Sequence, residues 1–152
     1  AEAKGALPGA ALQMKEALDV VQQLRAHKGF KQRYGGILEA TIPPLWGDGA
    51  DAQGLIDQIG GQAFLGAIQS MRGSGPVSER EGLAAQSAIN RLNNHNQTDA
   101  GAAKALDDFE EHVGNVYLLA QLKARARIDV GSLTTKQRAL VAEWARLEGG
   151  AQ

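Results

Sequence analysis

Met71-Arg-Gly-Ser-Gly-Pro-Val-Ser-Glu-Arg-Glu-Gly82 is the stretch on which the fold turns. Apolar residues recur at helical spacing on both sides of it, so it joins two amphipathic helices through a glycine-punctuated turn. Ser78 and Glu81 have the spacing of a capping box. In that arrangement the Ser78 hydroxyl accepts from the Glu81 backbone N–H, and the Glu81 carboxylate accepts from the Ser78 N–H. The helix after the turn, third along the chain, is therefore expected over about residues 79–93, with Leu83, Ile89 and Leu92 inward. Gly73-Ser-Gly75 is not a phosphate loop, since such a loop follows a strand, whereas here a helix precedes and Pro76 follows.

Working outward, Leu12, Leu18, Val21 and Leu24 line one face of a first helix, from Pro8 or Gly9 to about residue 28. Pro8 suits a first helical turn and Gly29 the position past the end. Residues 30–49 contain Gly35-Gly36, Pro43-Pro44 and Gly47, which predict a long irregular connection with one short helical turn near 30–34. A second helix is expected from an Asp51 cap to Met71, presenting Leu55, Ile59, Leu65, Ile68 and Met71, with Gly60-Gly61 as a kink or close-packing point. The polar residues 93–98 read as a loop. A fourth helix then starts at Thr98 or Asp99 and continues to about residue 127, with Leu106, Phe109, Val113, Val116, Tyr117 and Ala120 on one side. Thr134 and Gln137 form a second capping box, opening a fifth helix that carries Leu140, Val141, Trp144 and Leu147 and ends at Gly149. The expectation is an all-α compact bundle of about five helices with one long irregular loop at about residues 30–50. Residues 1–152 read as a single domain, with a core over about 9–127 and a C-terminal helix over about 134–148.

A chain of 152 residues suffices for one such core. Its 16 basic and 17 acidic residues are interspersed, which argues against a dedicated nucleic-acid binder. No apolar run approaches the ~18 residues of a membrane span. Without cysteine, neither disulfides nor thiolate zinc sites are available. Both ends read like linkers, so a piece of a longer polypeptide fits them as well as simple loss of an initiator methionine before Ala1.

Catalytic, cofactor and metal sites are not expected. His27, His95 and His112 lack partners at metal-binding spacing; His27 reads as a helix-end residue and the other two as surface residues. Asp48-Gly-Ala-Asp51 lacks the alternating ligands of a calcium loop. Glu79 and Glu81 lie two apart at a helix start, where they favour the helix dipole, and Glu110 and Glu111 read as a solvated face. Lys123, Arg125 and Arg127 approach a helix end, with Lys136 and Arg138 nearby; they suit its negative pole and also form a weak candidate strip for DNA or an acidic partner.

His27-Lys28-Gly29-Phe30, Asp57-Gln-Ile-Gly-Gly-Gln-Ala-Phe-Leu65 and Ala88-Ile-Asn-Arg-Leu92 add to the motif at 71–82, as does Ala105-Leu-Asp-Asp-Phe109. Together, over about residues 10–120, they resemble the DNA-transfer, ejection or internal virion proteins of tailed bacteriophages. The family shows a Leu-Lys-Gly-x-Gly-x-Ile-Thr-x-x-Glu-Gly pattern at the tightest match and commonly a proline where Lys28 stands. The resemblance implies a non-enzymatic structural module, located in the virion inside the capsid or near the portal. Its partners would be the portal or other ejection proteins, with homo-oligomers in the particle and transient DNA contact during genome delivery. Tyr34 and Trp46, in the long loop, are the candidate partner surface, because aromatics are favoured interface anchors. Two other classes compete: a peptidoglycan-degrading virion enzyme using carboxylates such as Glu39, Glu79, Glu81 or Glu110, and a DNA-binding packaging accessory.

Overall fold

In the computed structural model, residues 2–26, 48–93, 99–125 and 127–148 are described, with side-chain surroundings from 9, 54 and 101 onward in the first three stretches. The elements are α1 (Glu2–Ala26), α2 (Asp48–Ile59), α3 (Gln62–Arg72), α4 (Pro76–Leu92), α5 (Asp99–Lys123), a 3₁₀ turn at Val130–Ser132, and α6 (Thr135–Leu147). No strand occurs among the described residues, and the fold is an all-α bundle of five rods, one of them broken. The expected helical turn near 30–34, Tyr34 and Trp46 lie outside the described residues, as do His27, Glu39 and His95.

The central rod is α5, with α1 and α4 packed along it and α3 wedged against α1 and α4. Its Ala102, Ala105, Leu106, Phe109, Val113, Val116 and Ala120 recur three or four apart and are buried, so one helix supplies the floor for both neighbours. The Phe109 ring meets Phe64 of α3 at 5.5 Å between centroids, tilted by 47°. The same core holds Met14, Leu24, Ile56, Ile68, Met71 and Ile89, all essentially inaccessible to solvent.

Five boundaries differ from expectation. Helix α1 runs back through Pro8 to Glu2. Its buried stripe is Ala10, Met14, Ala17, Val21 and Leu24, leaving Leu12 on the far side at 54% exposure. The second rod is not continuous. Gly60 and Gly61 end α2 through N–H bonds to Ile56 O (3.0 Å) and Gln58 O (3.3 Å), and Gly61 turns extended to start α3. Asp51 consequently sits inside α2, which begins at Asp48, rather than capping it. Helix α5 stops at Lys123, where Arg125 adopts a left-handed φ of 59° and its N–H bonds Leu122 O.

Helix α4 starts two residues before the Ser78 cap that spacing suggested. Pro76 occupies its first position and Gly75 its N-cap, with Glu79 N–H bonded to Gly75 O at 2.8 Å. Ser78 and Glu81 thus fall inside the helix, on the buried stripe 78, 81, 85, 88 and 92. Leu83 lies off this stripe and is exposed.

Candidate functional site

Two polar clusters stand where α4, α5 and the last helix meet. The first is at the α4 N-terminus. Helix starts leave their leading N–H groups without intrahelical partners, and a side-chain oxygen from the N-cap ordinarily takes those at the second and third positions. Gly75 has no side chain to do this, and the acceptor comes from 70 residues away. Glu148, just past the end of α6, accepts from Val77 N–H (3.2 Å), Ser78 N–H (3.4 Å) and the Ser78 hydroxyl (3.2 Å). Lys123 Nζ completes the cage, donating to Glu148 at 3.1 Å and to Ser74 O at 2.9 Å. The Glu148 side chain is 4% exposed, so this is a buried ion pair held at a helix's positive pole. Gly75 makes the approach possible: at φ 148° it adopts a backbone that L side chains avoid, and a Cβ there would overlap the Glu148 carboxylate.

One turn further along α4 is the second cluster. Glu81, 5% exposed, accepts from His112 Nδ1 (2.8 Å), Asn115 Nδ2 (2.8 Å) and Arg80 Nε (3.1 Å). Because the carboxylate can only accept, Nδ1 of His112 carries the proton. Burial alone would raise the Glu81 carboxyl; the three hydrogen bonds outweigh it and hold the group at about 2. The carboxylate in turn raises the His112 imidazole above its ordinary value, against the opposing effect of burial. Arg80 extends the network to α6 through a two-pronged contact with Glu143, at 2.8 and 3.0 Å. His112 Nε2 lies 3.6 Å from Glu111, which also approaches Lys136 of α6.

An open groove of roughly 770 Å³ lies over this second cluster, bounded by Leu18, Glu110, Glu111, Gly114 and the start of α6 at residues 134–137. At that start Thr134 accepts from Gln137 N–H at 3.1 Å while the Gln137 side chain accepts from Thr134 N–H at 2.9 Å, a reciprocal capping box. The groove can admit a polar ligand. Its buried carboxylate, however, is ionised and engaged by three donors, so it has no proton to give near neutrality.

The structure thus redistributes the residues singled out from sequence. Ser78 and Glu81 do not cap each other: Ser78 binds Glu148, and Glu81 binds His112 and Asn115. His112 is a half-buried partner of Glu81 instead of a surface residue. Glu79 pairs with Arg72 at 3.1 Å, and Glu110 accepts from Arg25 and Gln22 across to α1. Lys123 leaves the basic strip for the Glu148 cage, whereas Arg125 and Arg127 are exposed. Among the described residues no group of three His, Asp or Glu side chains could hold a metal ion. Glu148 and Asn115 carried no local signal. Glu81 did, through its place on the apolar stripe 81, 85, 88 and 92, since a carboxylate at such a position needs buried partners.

No model of a known protein family, no curated protein and no solved structure matches the chain.

Proposed function

We propose that this chain is a non-enzymatic structural module of a tailed-phage ejection or internal virion protein, assembling with other virion proteins near the portal and assisting genome delivery. One observation carries the non-enzymatic part. In the segment that most resembles those proteins, residues 71–82, the polar side chains are spent on building the bundle. Arg72 holds Glu79 and Gln86, Ser74 bonds Met71 O, Ser78 bonds Glu148, Arg80 bonds Glu143, and Glu81 bonds His112 and Asn115. Gly82 is equally structural, since a Cβ there would meet Arg72 Cγ at 2.6 Å. Glu148, Arg80 and Lys123 tie three helices together at this corner, which suits a module whose work is shape and contact. Partners in this reading are the portal or other ejection proteins and further copies of the chain, with transient DNA contact through Arg125 and Arg127.

Mass spectrometry of purified virions tests the setting. The protein is expected inside the particle at a fixed copy number, and its absence overturns the proposal. The rival reading, a peptidoglycan-degrading enzyme, draws on the groove and its carboxylates. A glycosidase needs one carboxyl held protonated as an acid, and Glu81 is held in the opposite state. Wall digestion by the purified protein, lost on replacing Glu81 or Glu110, would favour the enzyme instead.

A further inference from the structure

We propose that α6 is a latch, a helix that undocks from the bundle as a unit while α1 to α5 remain folded, with the Glu148 carboxylate as its catch. The contacts of α6 carry this without any appeal to the virion setting. Helix α4 buries Val77, Ala85, Ala88, Ile89 and Leu92, and α5 buries more; along α6 only Leu140 is buried. Val141 and Trp144 are half-covered, and Leu147 is exposed. Docking also encloses the Trp144 indole Nε1 with no acceptor among the described residues, a cost that opening relieves. An amphipathic helix with so little apolar burial belongs to the low-stability end of a structure, where local opening precedes global unfolding.

What keeps it shut is polar and concentrated. Glu148 fills the N-terminus of α4 and grips Lys123 from α5, and Glu143 takes both prongs of Arg80. Both carboxylates belong to α6 or the residue after it, so one movement releases both. The connection from 124 to 134 supplies the hinge: Arg125 has left-handed backbone, the 3₁₀ turn is stabilised by Asp129, and none of its described residues is fully buried, Ile128 and Leu133 being half-covered against the core. Opening returns the first N–H groups of α4 and the Lys123 ammonium to solvent. It also removes one wall, residues 134–137, from the groove over Glu81 and His112.

Amide hydrogen exchange followed by mass spectrometry on the full chain decides the matter. In the wild type, α6 is expected to exchange about ten-fold or more faster than the interior of α5. Glu148→Gln is expected to speed α6 by about a further ten-fold while α5 stays unchanged, because a charged hydrogen-bond network is lost from the catch alone. Equal protection of α6 and α5 in the wild type overturns the latch, and that measurement needs no variant to fold. So does a Glu148→Gln protein in which α6 is unaffected, or in which α5 accelerates in step with it.

Discussion

Gly75 and the Glu81–His112 pair are the residues where single-atom chemistry decides the outcome. Substituting Gly75→Ala forces a Cβ onto a φ of 148° and into the Glu148 carboxylate. Backbone strain of that kind costs about 1–3 kcal/mol, so urea unfolding should show a loss of about 2 kcal/mol. The Glu81–His112 pair makes stability pH-dependent on both sides of neutrality. His112 is raised in the folded chain, so its contribution is complete below the ordinary imidazole value of about 6.5 and disappears as pH climbs through the raised value. Glu81 is lowered to about 2. Its contribution is therefore present above the ordinary carboxyl range and is lost as pH falls through that range toward 2, on the order of 3 kcal/mol. In denaturant titrations, His112→Gln should abolish the loss on the alkaline side and leave the chain's stability nearly flat from pH 6 to 9. A variant that keeps the wild-type slope there would show that another group is responsible.

Among the helices, boundaries depend on who satisfies the free ends. Thr134 and Gln137 are three residues apart, so their reciprocal cap was visible in the sequence and needed only local geometry. The corresponding Ser78 and Glu81 pattern was equally clear and yet is used differently. Pro76 is pre-set for the first helical position and lets α4 start earlier, and the Glu148 carboxylate takes the Ser78 N–H that Glu81 was expected to take, together with that of Val77. Gly60-Gly61 was legible as an interruption, but whether two glycines bend a helix or end it depends on the neighbours that α2 and α3 must each reach. Helix α3 carries a different glycine, Gly66, whose Cβ would meet nothing within 4 Å. Gly66→Ala should therefore stabilise the protein by about 0.5–1 kcal/mol in thermal or urea melts, by helix propensity alone.

For the molecule as a whole, stability is divided unevenly between a core built around α5 and a lightly attached last helix. Phe109 is fully enclosed against Phe64, and Phe109→Ala should cost about 3–5 kcal/mol of global stability in urea unfolding, since the bundle cannot close the cavity. A cost below about 1 kcal/mol would mean that the centre of the core lies elsewhere. Helical periodicity, the apolar stripe of α5, an interruption at Gly60-Gly61 and the Thr134 cap were determined by the sequence itself, because each depends on residues within a turn or two of one another. Only the tertiary structure decided that Glu148 caps α4, that Lys123 is a buried partner rather than part of a basic strip, and that Glu81 is ionised beside His112 and Asn115. The physical reason is that unsatisfied N–H groups and buried charges accept whichever partner the packing brings within about 3 Å. Here those partners lie 25 to 71 residues away along the chain.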